Sequence, residues 1–372
     1  MKKLSYISAR QLFTMLIVFR IVIIMTINSI LMGGNRLLDN LMSCAIAFTL
    51  NFVLVLPIYF LNRRSPRTNI LEKSYDLFGP FGAGISMFYA LYFIFVDCYY
   101  LSFFHIFTVN VLDPYIPFWL IAVSVMAVAV YGAFQGIEAL ARTALLILVV
   151  ILTGMLFLFI TVIPRINLNN LYPLWIDGTD QMWTGVLQVL GRSTCFPIMA
   201  MLLPQVSGRK KLGFLLWNLI LYLFMAIGIF VLVSSLGSYV DTQLFPFFSL
   251  ASIAGVRPFQ RMDAIFIGVW LSGLFLKIAT DLYLVTQCCI KVFGQRSRKI
   301  STLAGAVLIA GGSVLISSNR QWYQQLFSLK LTLPLTITAA LALPTVMLMV
   351  DLIKYRKGKR QNAKQAVQND SA

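Results

Sequence analysis

The sequence predicts an all-α polytopic membrane protein whose helices form two related halves of opposite topology. Three observations lead there. Apolar residues make up 59% of the 372-residue chain and charged residues 12%, spread nearly from end to end, which no single soluble core accommodates. Apolar runs of roughly 20 residues, the length that crosses about 30 Å of hydrocarbon, recur between short polar stretches. The runs divide into two sets of five, and an odd count makes the second set enter the membrane the other way up.

The ten predicted spans are 11–33, 38–61, 80–108, 116–135, 141–163, 183–204, 213–237, 263–291, 300–318 and 331–354. The opening "MKKLSYISARQLF" has two lysines but no small-residue cleavage site after a short apolar region, so the first run reads as a membrane helix. The expected organisation is one transmembrane domain over 1–354, with repeats at about 11–163 and 183–354, and a basic cytoplasmic tail over 355–372.

Charge sets the expected orientation. With the N-terminus inside, 21 Lys and Arg fall in cytoplasmic segments and six outside (Arg36, Arg165, Arg257, Arg261, Arg320 and Lys330). That asymmetry predicts cytoplasmic N- and C-termini and an even number of spans. The net charge of +17 is thus a matter of topology, and no nucleic-acid partner is expected. The tail "KYRKGKRQNAK" reads as a topology anchor, with anionic lipid or a cytoplasmic partner as the alternative.

Little points to an enzyme or a cofactor. His105 is the one histidine, and all five cysteines (Cys44, Cys98, Cys195, Cys288 and Cys289) lie within predicted spans without disulfide or metal spacing. No Ser, His and acid grouping stands out.

The halves echo one another. The third span of each is unusually long, and the first span of each carries an arginine about ten residues in, Arg20 and Arg192. In inverted-repeat transporters the first helix of each half is discontinuous and the ligand sits between the breaks. Span six fits, because Gly191 and Pro197 bracket Arg192, Ser193 and Thr194, and Pro197 cannot donate to a helical ladder. A simple proline kink is the alternative, with Ser193 and Thr194 bonding to their own backbone. Span one has no Gly or Pro until Gly33, and only Thr26, Asn28 and Ser29 offer polar groups.

The ionisable residues within the spans are Arg20, Asp97, His105, Arg192, Lys277 and Asp281. Such groups are costly in hydrocarbon and are expected to pair or to line a wet cavity. Lys277 and Asp281, four apart on one helix, are placed to neutralise each other. Asp97 is expected to meet Arg20 or Arg192, either as a packing ion pair or in a functional role, as the countercharge to a ligand amine or as a proton-coupled switch. Gly132 and Gly136 read as a cytoplasmic turn more readily than a dimer face. Residues 238–261, with "FPFFSLASIAG", read as an amphipathic stretch over the outer mouth, a lid or an idle interfacial helix.

Three motifs, "ISARQLF", "GIEALAR" and above all "QRMDAIFIGVWLSGLFLKIATDLY" with Asp263, Trp270 and Lys277, resemble the spore-germination permease family, the GerAB-type B subunits of germinant receptors. The resemblance covers essentially the whole chain. It implies an amino acid, polyamine and organocation transporter-like (LeuT-like) fold in the spore inner membrane, beside a larger A subunit and a lipoprotein C subunit. It also implies that a small germinant, commonly an amino acid, binds where spans one, three, six and eight converge. The expected ligand-binding residues are Thr26, Asn28, Asp97, Gly191, Arg192, Ser193 and Thr194, with Arg20, Asp97, Lys277 and Asp281 in charge pairing or coupling. Relatives show a glycine-containing break in the first span, where this chain has Arg20 to Ile24, so ligand identity does not carry over. An autonomous amino-acid or cation symporter is the competing reading.

Overall fold

The computed structural model describes residues 7–29, 32–34, 36–66, 68–173, 178–254 and 263–355. The expected basic tail from 356 onward, Arg67, Arg257 and the Gln260–Met262 start of the longest motif lie outside the described residues. Among the described residues helix dominates, and the strands amount to one two-residue parallel pair, Ile7–Ser8 (β1) beside Val206–Ser207 (β2).

The first helix, α1 (Ala9–Ile24), starts on a capping box: Ser8 Oγ accepts from the Gln11 N–H at 3.1 Å, and Gln11 Oε1 accepts from the Ser8 N–H at 2.8 Å. This gives "ISARQLF" its physical meaning, a helix start tied to β2. The next elements are α2 (Asn40–Arg64), α3 (Ile70–Phe78), α4 (Gly82–Phe107), α5 (Phe118–Gln135) and α6 (Ile137–Val162). Gly136, with φ of 86°, makes the turn between α5 and α6, as the sequence suggested. Just inside α6, Glu138 and Arg142 pair across one turn at 2.5 Å.

The second half comprises α7 (Thr179–Gly191), α8 (Cys195–Leu202), α9 (Lys210–Leu236), α10 (Pro246–Ile253), α11 (Asp263–Phe293), α12 (Arg298–Ser317), α13 (Arg320–Leu326) and α14 (Leu329–Ile337). The last helix widens through a π-type turn, Thr338–Ala342, and runs on to Tyr355. The phenol of Tyr89 donates to the Ala339 carbonyl at 2.7 Å within that turn.

Among the described residues, nine helical stretches are long and apolar enough to cross a membrane. The tenth predicted span, the first in the chain, differs. α1 has 16 residues, about 24 Å at helical rise, and the chain leaves helical geometry over Met25 to Ser29. Irregular backbone at that depth is tolerable when protein surrounds it. Here it does: every residue from Leu12 to Ser29 is buried.

α1 and α8 form the buried centre, α8 with all eight residues out of solvent. They run antiparallel, since β1 precedes α1 and β2 follows α8, so the two halves meet head to tail. α11 packs on α1, α4, α5, α6 and α12. Gly273 allows its close contact with α1, where an added Cβ would stand 2.4 Å from Val22. α2 and α9 are clamped by Asn51 Nδ2 donating to Asn218 Oδ1 at 2.9 Å and Asn218 Nδ2 donating to the Phe48 carbonyl at 2.8 Å. The outer faces of α5, α6 and α12 carry exposed Leu, Val and Ile, the surface a hydrocarbon solvent requires.

A candidate ligand site at the α7–α8 break

α7 stops at Gly191 because a helix continued through Pro197 would drive the proline ring into the Ser193 carbonyl. Pro197 itself lies in the first turn of α8, where a backbone N–H has no helical partner to lose. The interruption therefore spans Arg192 to Thr194, ahead of the proline. Four carbonyls freed at the end of α7 are each satisfied. Val189 O accepts from Arg20 Nη2 at 3.2 Å and from Ser193 Oγ at 3.0 Å, and Leu190 O accepts from the Ser193 N–H at 3.0 Å. Gly191 O accepts from Thr336 Oγ1 at 2.8 Å, and Arg192 O from Arg20 Nη1 at 2.6 Å.

Arg20 is thus a cap. The residue is 4% exposed, and its guanidinium lies over the Phe48 ring at 5.7 Å and sits at the C-terminal, electronegative end of α7. At the end of α1 the matching task falls to α11. The Thr26 N–H turns back to Ile23 O, which leaves Val22 O free, and Trp270 Nε1 donates to it at 3.3 Å. Trp270, Gly273, Lys277 and Asp281 follow at spacings of three and four, so the longest motif forms one stripe of α11 facing α1.

The acids gather elsewhere. Lys277 is fully buried, ion-paired to Asp281, and placed over the rings of Tyr100 at 5.1 Å and Phe19 at 5.8 Å. Asp97 lies beside this pair, with neither carboxyl oxygen accepting a hydrogen bond. The expected pairing of Asp97 with Arg20 or Arg192 is therefore not formed. Arg20 is committed to the carbonyls of α7, and Arg192 donates to Gln188 Oε1 at 3.2 Å. Among the described residues, centre and break carry separate charge groups: one cation with two acids, and two cations without an ion-paired acid.

A small cavity of about 30 Å³ opens at the break, with Tyr92, Tyr100, Gly191, Arg192, Thr194 and Thr336 on its wall. That volume holds about two waters. The Thr194 hydroxyl is buried beside the Tyr100 phenol without completing a hydrogen bond. A larger chamber of about 480 Å³ lies next to it, towards the face opposite the one where α1 begins. Tyr99, Arg192 and Phe327 line both.

Of the residues expected at the site, Gly191, Arg192 and Thr194 meet at the cavity. Ser193 is spent on Val189 O, Thr26 Oγ1 donates to Ile23 O at 2.7 Å, and Asn28 Nδ2 donates to Leu244 O at 2.6 Å. Neither Thr26 nor Asn28 lines a cavity described above. Sequence reading missed Tyr99, Gln188, Tyr323, Phe327 and Thr336. The first was legible as part of an aromatic stripe at 92, 95, 99 and 103 on α4; the rest belong to other helices.

The stretch read as an outer amphipathic segment is docked where it is described. Phe247, Leu250 and Ala251 of α10 are buried, and Phe245 meets Phe103 and Phe107 edge-on. Its end, 255–261, lies outside the described residues. His105 stacks on Phe118 at 4.0 Å. Among the described residues no group of three or more His, Cys, Asp or Glu is placed to hold a metal ion.

At the centre of the bundle α1, which ends among buried residues, packs antiparallel to α8, whose break from α7 opens on a cavity, an arrangement that fits a secondary-transporter fold. A solved structure of a Na+-coupled sialic acid symporter superposes with a TM-score of 0.61 over 91% of this chain and 82% of that one, at 12% identity. The chain belongs to the spore germination protein family, whose sequence profile matches residues 6–321. From Bacillus subtilis (strain 168), spore germination protein KB is 29% identical over 296 residues, covering 74% of this chain and 76% of its own length. The putative spore germination protein YfkT of the same organism is 25% identical over 250 residues, covering 64% and 68%. It is accordingly a multi-pass membrane protein of a germination family, with a transporter-like fold.

Proposed function

We propose that this chain is the ligand-sensing subunit of a spore germinant receptor. It would sit in the spore inner membrane with both termini cytoplasmic, bind a small polar germinant such as an amino acid, and signal to a larger A subunit and a lipoprotein C subunit. The observation that carries the reading is the selective use of polar groups at the α7–α8 break. The freed carbonyls are capped, whereas Thr194 Oγ1 completes no hydrogen bond and Arg192 faces the cavities. Family membership and the transporter-like fold support the same reading.

The inner cavity of about 30 Å³ is too small for an amino acid, so binding requires the helices around it to part. A ligand that favours the wider arrangement shifts the population towards it, and only differential affinity supplies that shift. The test is thermal stabilisation of the purified protein by a panel of amino acids, sugars and nucleosides. A ligand at about a hundred times its Kd adds about 2.7 kcal/mol, and Thr194→Val should reduce the gain. No stabilisation by any of them would sink the reading.

The fold supports a second reading, an autonomous amino-acid or cation symporter. Uptake of labelled substrate into liposomes containing this chain alone would favour it. A partner-dependent response without turnover favours sensing.

A further inference from the structure

The wall of the 480 Å³ chamber is built from the C-terminal end of α4, from α7, from α13 and from the start of α14. Its volume suits a small organic molecule. Phe103, Ile106, Val109 and Leu329 supply an apolar surface. Apart from phenols, the ionisable groups on the wall are Arg192 and His105, and among the described residues no carboxylate lines it.

Four polar groups there are under-used. Arg192 makes one side-chain hydrogen bond, to Gln188, and no ion pair with a described acid. The Tyr99 and Tyr323 hydroxyls are buried side by side, and neither completes a hydrogen bond. His105 Nδ1 is also without a partner. Buried polar atoms are rarely left so, and an unexplained group in a cavity points to something that binds there. The two tyrosine rings are stacked, with centroids 6.2 Å apart and planes at 16°, and Phe327 meets both edge-on at 4.8 and 5.1 Å. This aromatic set stands between the chamber and the inner cavity.

We infer that the chamber is a capture site for a small organic carboxylate with a flat apolar body. The carboxylate would accept from the Arg192 guanidinium and the two phenol hydroxyls, and the body would lie on Phe103, Ile106 and Phe327. Guanidinium recognises a carboxylate through paired donors, and the phenols supply further donors. An amine in the same place meets an arginine and no acid, so it is disfavoured. The inference rests on the sensing role proposed above and adds a chemical class: the anionic group is required at entry and an α-amine is not.

The test uses the full chain in lipid nanodiscs and three probes of one shape: 3-phenylpropionate, 3-phenylpropan-1-ol and 3-phenylpropylamine, with acetate as a control lacking the body. Titration calorimetry should show 3-phenylpropionate binding at least about tenfold more tightly than the other three. Arg192→Gln should weaken it about tenfold or more, and Arg192→Lys less. Tyr323→Phe, which deletes a single oxygen, should weaken it severalfold with an unchanged melting temperature in the absence of ligand. Equal binding of the amine or the alcohol, undiminished binding by Arg192→Gln, or no binding of 3-phenylpropionate would overturn the assignment. If the carboxylate fails while the germinant panel still stabilises the protein through Thr194, only the chamber assignment falls. If both fail, the sensing role falls with it.

Discussion

The end of α1 and the α7–α8 break occupy related places in the bundle and are finished in different ways. α1 ends among apolar side chains, and its loose carbonyl at Val22 is taken by the neutral Trp270 indole. α7 ends under a buried cation, Arg20, with a threonine from α14 completing the set. The end of α1 lines neither cavity described above; the α7–α8 break opens on one. Loss of helical geometry alone therefore does not open a cavity. The candidate site proposed above lies where the side chains that follow the break, Arg192 and Thr194, are left over once the backbone has been satisfied.

The sharpest way to break this contrast is at the charge cluster between the two breaks. Removing one member of a buried ion pair costs about 3 to 5 kcal/mol, because the other charge is stranded. Lys277→Met should therefore give the largest loss of stability in urea or thermal unfolding, and Lys277→Met with Asp281→Leu a smaller one. A Lys277→Met protein as stable as wild type would show that the pair does not hold α11 against the centre.

Next comes the cap of α7. Arg20→Met leaves the Arg192 carbonyl without its donor and Val189 O with one fewer. At about 1 to 3 kcal/mol for an unsatisfied buried group, a loss of roughly 2 to 4 kcal/mol is expected. The order of preference within a ligand panel should survive. A changed order with intact stability would make Arg20 a ligand residue instead.

Trp270→Phe should cost less, about 1 to 2 kcal/mol, since it keeps most of the packing and removes one donor from Val22 O. Ligand-induced stabilisation should be unaltered, since the α1 end lines neither cavity described above. The smallest stability effect belongs to Thr194→Val, within roughly 0.5 kcal/mol, because the hydroxyl it deletes has no partner to strand. Its signature is a weaker ligand response. A large loss of stability would mean that Thr194 is a cap after all, and the two breaks would then be alike.

Much of this was legible in the chain. Apolar run lengths mark the spans, the arginine and proline of "GRSTCFP" mark the break, and the four-residue spacing of Lys277 and Asp281 predicts their pair. The Asp97 pairing was misread for a definite reason. Sequence spacing fixes neighbours along one helix, whereas partners on different helices depend on how those helices cross. Asp97 on α4 falls opposite α11, and the arginines fall at the end of α7. Ser193 and Thr194 look equivalent in the chain, yet the turn of the backbone directs Ser193 to Val189 O and leaves Thr194 at the cavity. The first span reads as one continuous run because nothing in "RIVIIMTIN" forbids a helix. Its ending depends on donors brought by other elements, such as Trp270.

By itself, the sequence determined the all-α membrane class, the two-half layout and the position of the second break. Each of these follows from local chemistry: transfer of apolar side chains into hydrocarbon, the geometry of the helix, and the clash of the Pro197 ring with the Ser193 carbonyl of a continued helix. The tertiary structure alone decided which polar groups remain for a ligand. The freed carbonyls at the end of α7 claim their partners first, and those claims are settled by contacts between distant segments, as Arg20 shows by reaching across 172 positions to Arg192 O. What is left over at Arg192, Thr194, Tyr99 and Tyr323 is where binding is to be sought.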